Sequence, residues 1–441
     1  MVKKAVLVGC NYPGTKAELH GCVNDVVRMY QSLVQRFGFE EQDITVLIDT
    51  DERYLQPTGA NIRKALNEMI ANSEEGDVLF FHYSGHGTRV PAETGDQDDT
   101  GYDECIVPCD MNLINDDDFR ELINKLPSGV SLTIVSDSCH SGGLIEATKE
   151  QIGDSFNPQR EPEVDPLQFG DVNRGDEEYE ENEEGGWSGM LKKGLKKAWE
   201  SDSVRDALGI RHHKEQNYGD ESAGTKQVYV GEDGIQVKNK SLPLDTFIEM
   251  LGDRTGRRDI EVGSIRPTLY DTFREDSSSK VKKFVQVLTS RLQERSVGDE
   301  EESGFMGMIN SLAGQFLQAK LDETDNSDAY VQPAMETDLY APEAAYAGRK
   351  SGNRATDMGV LVSGCQSDQT SADANPGRDP AGAYGALSNA IQTILASTEP
   401  GQPISNRYLV TEARRLLASQ GFTQQPGLYC TDYNAEAPFI C

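Results

Sequence analysis

An α/β fold, with a mainly parallel sheet flanked by helices on both faces, is what this sequence predicts, on three observations. Short apolar runs at Lys4–Gly9, Ile44–Ile48, Val78–Tyr83 and Leu132–Val135 are separated by stretches of helical periodicity, the grammar of parallel strands joined by crossover helices. Two of these runs end alike, in small-residue polar turns: Val78 to Gly87 reads VLFFHYSGHG, and Ile134 to Gly143 reads IVSDSCHSGG. Beyond about Thr148 the pattern gives way to a long acidic stretch, and it resumes only toward the C-terminus. The chain therefore reads as a strand-and-helix block, a long partly disordered acidic insert, and a short closing block.

The elements follow in order. KAVLVG (4–9) is a buried strand ending in the turn Asn11-Tyr12-Pro13-Gly14, and a helix spans about 19–37, with Val23, Val26, Val27, Tyr30, Leu33 and Val34 at helical spacing. A strand at 44–48, a helix at 62–70, the histidine strand 78–83, a short segment at 105–107, a helix at 119–126 and the cysteine strand 132–135 complete the first block. Residues 157–184 are rich in Glu, Asp, Pro, Asn and Gly, and MLKKGLKKAW (190–199) is a basic amphipathic patch suited to docking on the chain's own acidic surface, with a membrane or calmodulin-type role as the alternative. Order resumes near Ser241, with core-forming stripes at Val281, Phe284, Val285, Leu288 and Leu292 and at Phe305, Met308, Ile309, Leu312 and Phe316. A strand at 359–363, a turn through Gly364-Cys365-Gln366 and helices at 383–395 and 406–419 close the chain.

Composition excludes several classes. Across 441 residues, 74 acidic side chains against 42 basic ones give a net charge of −32, which opposes nucleic acid and anionic membranes and suits cationic peptides or divalent ions. The apolar part of the N-terminus is too short for a signal peptide, and no apolar run approaches the ~18 residues of a spanning helix. Eight cysteines without framework spacing indicate reduced thiols and a soluble, cytoplasmic protein. Cys105 and Cys109 are four apart but lack the second ligand pair of a zinc site.

A thiol in a turn at the C-terminal edge of a parallel sheet is placed where such sheets bind ligands, and a neighbouring imidazole can take its proton. Cys139 as nucleophile and His86 as base satisfy both conditions. Singly, each has a plainer reading, a small buried hydrophobe and a satisfied core histidine; paired on two glycine-bracketed strand tips, they point to catalysis. The N–H groups of Gly87 and Cys139 are candidates for an oxyanion hole. His82 alternates away from the tip and the side chain of His140 diverges from its neighbour Cys139, so both are weaker bases.

HYSGHG and DSCHSGG, together with GCVND in the first helix, SGCQSDQTSADA (363–374) and GFTQQPGLYC (421–430), closely resemble the metacaspases, caspase-like cysteine peptidases, in their plant type II form. The resemblance runs nearly end to end and is weakest over 151–220 and 320–355. It implies a caspase-like α/β fold in three parts: a large-subunit-like region 1–150 with the His/Cys dyad, an insert and regulatory linker 151–357, and a small-subunit-like region 358–441. It also implies a monomeric endopeptidase that cleaves proteins after Arg or Lys, with Asp25 and Asp137 as pocket carboxylates and Cys22 and Ser84 as pocket walls. A carboxylate pair suits a cationic side chain and repels an acidic one.

Two further implications concern control. The family uses calcium as an activator. The matching positions here are Asp103, Asp116, Asp117 and Glu146, where the family more often has Asp, and Asp96, Asp98, Asp99 and Asp118 add hard oxygens nearby. A solvated acidic loop is the plainer reading of that run. Type II members are zymogens that cut themselves in the insert after a basic residue. Lys226 is the expected site, with Lys214, Lys238 and Lys240 as neighbouring competitors. A catalytically silent scaffold binding basic partners is the rival reading, opposed by the intact dyad. A thiol phosphatase lacks the arginine-rich loop it would need after Cys139.

Overall fold

The computed structural model describes residues 1–91, 102–139, 150–153, 229–230, 235–286, 359–365, 369–376, 379–399 and 401–440. Valine, leucine and phenylalanine runs buried on both sides form its centre. Five parallel strands lie side by side in the order β2 (Ile44–Ile48), β1 (Lys3–Gly9), β3 (Val78–Ser84), β7 (Ser131–Asp137) and β11 (Val360–Ser363). Two antiparallel strands, β14 (Gly427–Tyr429) and β8 (Glu150–Ile152), extend the sheet to seven.

Alternation along each strand divides the apolar side chains between two cores. Leu7 and Phe80 face one, with α1 (Cys22–Gln35), α6 (Ala386–Ser397) and α7 (Asn406–Ser419). Val6, Val8, Leu79 and Phe81 face the other, with α2 (Gly59–Ala71), α3 (Asp116–Ile123), α4 (Leu244–Thr255) and α5 (Ile265–Phe273). The fold is therefore the caspase-like α/β architecture, with helices on both faces of a mostly parallel sheet. No helix among the described residues is long and apolar enough to cross a membrane.

Helix starts follow their caps rather than the apolar spacing. Thr58 accepts the Asn61 N–H, so α2 begins at Gly59, ahead of Ile62. Asn115 and Asp118 form a reciprocal capping box, and with three aspartates in its first turn α3 begins at Asp116, ahead of Phe119.

Two small sheets went unread in the sequence. One joins β4 (Gly87–Pro91), β5 (Tyr102–Ile106) and β6 (Ile114–Asn115). The other runs β13 (Tyr384–Gly385), β12 (Ala372–Asn375), β10 (Gln236–Asn239) and β9 (Tyr229–Val230). Strands of two to five residues carry little periodicity, and β10 and β12 pair across a long sequence gap. Strands β9 and β10 both precede Ser241, so regular structure is present earlier than the sequence suggests. Val281, Phe284 and Val285 are buried as core residues; Leu288, Leu292, the stripe 305–316, the patch 190–199 and Lys214 lie outside the described residues.

Candidate active site

All the relevant strand tips open on one edge. Register places Gly9 beside Ser84, Ser84 beside Asp137, and Ser136 beside Ser363. Cys139 follows β7 by two residues and His86 follows β3 by two, so neighbouring parallel strands deliver both. Each residue is nearly or wholly buried. The Cys139 Sγ accepts the Ser371 N–H at 2.8 Å.

The histidine is held by its backbone. Its N–H donates to the Tyr12 hydroxyl at 3.0 Å, and its carbonyl accepts from the Tyr83 hydroxyl at 2.8 Å. Tyr12 takes the left-handed region at φ 50°, unusual for a tyrosine. Its N–H and that of Asn11 donate to the Asp49 carboxylate at 2.7 and 2.8 Å, which holds the turn in place. His86 Nε2 lies 2.7 Å from the Ala17 carbonyl, which can only accept, so Nε2 carries the proton. Nδ1 is then the basic nitrogen, and it lacks an aligned hydrogen-bond partner. Burial pulls the imidazole down to about 4, with the Lys240 and Lys238 charges adding and the carbonyls of Ala17 and Lys240 opposing. Burial, followed by the Cys365 thiol, pushes the Cys139 thiol well up.

The lysine at position 240 fills the space beside these groups. Its side chain is wholly buried; Nζ lies 3.2 Å from Asp137 Oδ1 and 3.7 Å from Asp25 Oδ2. It also donates to Ser84 Oγ at 2.9 Å and to the Asp137 carbonyl at 3.0 Å. The carboxylates are fixed in turn. Gly385 N–H donates to both Asp25 oxygens at 3.0 and 2.9 Å, Ser84 Oγ to Asp25 at 2.7 Å, and Ser388 N–H to Asp137 at 2.8 Å. Burial raises Asp25 to about 8, against the pull of Lys240. Burial alone would lower the Lys240 ammonium, but Asp137, Cys22, Asp25 and Asp373 outweigh it and raise it.

The backbone of this segment is bound as well. Gly87 N–H donates to the Lys240 carbonyl at 2.9 Å, Lys240 N–H to the Ser371 carbonyl at 2.8 Å, and Leu242 N–H to the Gly87 carbonyl at 2.8 Å. A side chain at position 87 would run into the Cys139 carbonyl oxygen, so glycine is required there.

The structure thus gathers Cys139, His86, Gly87, Asp25, Asp137, Cys22 and Ser84 in one place. Sequence reasoning missed Tyr12, Ser371, Gly385 and Asp373. Asp373 is buried, binds the His20 and Gly21 N–H groups, and feels the Lys240 charge. The run SADA held it in view, but only β12 shows that it faces the pocket. His82 is no rival base: its Nε2 meets Ser388 Oγ at 3.1 Å, and burial lowers its pKa to about 3. His140 and Lys226 lie outside the described residues.

The acidic cluster is a separate site. Asp103 is buried and ion-paired to both Arg266 and Lys280; Lys280 also lies 3.9 Å from Asp117 Oδ2, and Arg120 pairs with Asp116 and Asp117. Asp96, Asp98, Asp99 and Glu146 lie outside the described residues. The donors around Lys280 are hard carboxylate oxygens, chemically suited to calcium. In this arrangement they face the chain's own cations, and no group of three side chains poised for a metal occurs among the described residues. Cys105 and Cys109 are free thiols.

A buried thiol and imidazole on adjacent strand tips of this fold, beside an acidic pocket, define a caspase-like cysteine peptidase. Comparison with known proteins agrees. Residues 3–148 match the family model for the metacaspase, peptidase C14 domain. Metacaspase-4 of Arabidopsis thaliana is 54% identical and Metacaspase-7 of the same plant 46%, each over 100% of both chains. Metacaspase-1A of Aspergillus terreus is 43% identical over 33% of this chain and 37% of that one. The chain belongs to the metacaspases, and its full-length match to the plant proteins sets it with their type II members.

Proposed function

We propose that this protein is a calcium-activated endopeptidase that cleaves after Arg or Lys, and that it is made as a zymogen held shut by its own Lys240. The observation that carries this reading is Lys240 itself, a basic side chain between Asp25 and Asp137 with its carbonyl on the Gly87 N–H. Two carboxylates lined with donors accept an ammonium or guanidinium and leave an acidic side chain unpaired. Strand β10 pairs antiparallel with β12 just ahead of Lys240, as an extended substrate adds to a sheet edge.

In cleavage, His86 Nδ1 takes the Cys139 proton and the sulfur attacks the carbonyl carbon. The Gly87 N–H stabilises the oxyanion, and the imidazolium protonates the departing amine as the C–N bond breaks. Water, deprotonated by the same nitrogen, then hydrolyses the thioester. Burial keeps the resting thiol protonated, so its proton passes to His86 only as the sulfur attacks.

We place self-cleavage at Lys240 rather than Lys226, since Lys240 occupies the pocket. The test is fragment mapping by mass spectrometry after calcium treatment. A new terminus at Ser241, lost in Lys240→Ala and retained in Lys226→Ala, supports the assignment. Cutting that is unchanged in Lys240→Ala removes it.

Calcium, when bound, would supply charge neutralisation at Asp103, Asp116 and Asp117. Asp103 sits on β5, whose partner β4 begins at Gly87, so the acidic cluster and the oxyanion donor share one hairpin.

A further inference from the structure

We propose that Gln424 is a positioning residue for the nucleophile: its amide closes the loop 364–372 so that the Ser371 N–H, a catalytic donor, lies on the Cys139 sulfur. This inference rests on the reading of Cys139 as the peptidase nucleophile.

Gln424 comes from the C-terminal run GFTQQPGLYC (421–430), part of which forms β14. That strand pairs antiparallel with β11 and sets Gly427 beside Ser363. The register carries the residues before Gly427 past the tip of β11, onto the turn that begins at Gly364. There Gln424 is 2% exposed. Its Oε1 accepts the Ala372 N–H at 2.8 Å, and its Nε2 donates to the Gly364 carbonyl at 3.0 Å. A backbone N–H can only donate and a carbonyl only accept, so the amide has one orientation. One buried side chain thereby ties both ends of the loop. The neighbouring Gln425 N–H adds a bond at 2.8 Å to the side chain of Gln369 within it.

The loop rests in turn on the backbone that carries the nucleophile. A Cβ at Gly364 would run into the Ser371 hydroxyl and crowd the Ser138 backbone, so glycine allows the close approach. Ser371 Oγ donates to the Ser138 carbonyl at 3.2 Å, and the Ser371 N–H donates to Cys139 Sγ at 2.8 Å. Both bonds depend on where residue 371 sits, and Gln424 holds the next residue, Ala372.

That N–H acts where charge develops. A donor to the sulfur favours the thiolate, as does the Lys240 charge, against burial and the Cys365 thiol. Sulfur gains electron density twice in each turnover. The first time is when its proton passes to His86; the second is when the thioester C–S bond breaks and the pair returns to sulfur. A donor already in place stabilises both without reorganisation.

Gln424→Met fills nearly the same space and makes neither bond. The experiment uses the calcium-treated full chain and two readouts. One is kcat on an arginine fluorogenic peptide. The other is the rate of Cys139 alkylation by iodoacetamide against pH, read by mass spectrometry of its peptide. We expect Gln424→Met to lower kcat about tenfold and to move the midpoint of the alkylation profile up by about one unit. Gln424→Glu keeps the acceptor for Ala372 and should show smaller changes in both. If the wild-type chain cuts no arginine peptide, the peptidase reading fails, and the alkylation profile still decides the role of Gln424. A midpoint unmoved in Gln424→Met, or in Gln424→Glu should the first variant not fold, overturns the inference. It does so even where kcat falls, because the side chain then acts on the fold alone.

Discussion

Lys240 and Lys280 each gather aspartates around one ammonium, yet one cluster is sealed and the other is half open. The Lys240 side chain and both its carboxylate partners are 0% exposed. Lys280 and Asp117 are each 16% exposed, although Asp103 between Lys280 and Arg266 is buried. Sealing strengthens each charge contact and raises the cost of leaving one unmatched. A sealed pocket can therefore select a class of side chain, whereas a cluster that touches water can exchange one cation for another. The comparison suggests recognition at the first and regulation at the second.

The largest expected effect breaks the sealed side. Asp137→Asn should lower kcat/KM on an arginine peptide by about a hundredfold or more and destabilise the uncut chain by about 3–5 kcal/mol, because a buried ammonium loses its nearer carboxylate. Fluorogenic assay and urea unfolding check both; a change of under threefold in rate would remove Asp137 from the pocket.

Acid should act on the sealed region too. His82 and His86 protonate in the native state only near 3 and 4, whereas unfolded imidazoles protonate near 6.5. As pH falls below about 6.5 the unfolded chain takes up protons first, so stability present at neutral pH is lost on the way to pH 4. The loss at pH 5 is roughly 2 kcal/mol for each histidine. Urea unfolding of Cys139→Ala at pH 7 and pH 5 measures it, and His82→Gln should remove about half the difference.

Tyr12→Phe sharpens the picture around the base. It removes the acceptor of the His86 N–H and the donor to the Val107 carbonyl, the latter at 2.5 Å. We expect about 1–3 kcal/mol of lost stability and a lower kcat with KM nearly unchanged, since the pocket carboxylates are untouched. A change confined to KM would contradict a positioning role.

The smallest effect belongs to the half-open cluster. Lys280→Gln should lower stability by about 1 kcal/mol, because the buried Asp103 loses one of its two cations but keeps Arg266, and tighten calcium binding severalfold in calorimetry on Cys139→Ala. Unchanged affinity would separate Lys280 from the proposed calcium site.

Cys139, His86 and Gly87 were legible because a strand tip is a local event: an apolar run ends and small residues follow. The central strands were legible for the same reason. The three-residue early starts of α2 and α3 were set by Thr58 and Asn115, capping signals outweighed by apolar spacing in the reading. Asp373, Ser371 and Gly385 carry no local mark of their role, since each becomes part of the site only when the C-terminal strands fold against the N-terminal block.

The sequence by itself determined the parallel α/β core, the thiol and imidazole on neighbouring tips, and the family, because periodicity and turn chemistry act over a few residues. Only the tertiary structure decided which lysine meets the acids. Lys214, Lys226, Lys238 and Lys240 are chemically alike, and the choice rests on where β10 lies against β12. That pairing places Lys240 Nζ within 3.2 Å of Asp137, and it depends on contacts between residues far apart in the chain.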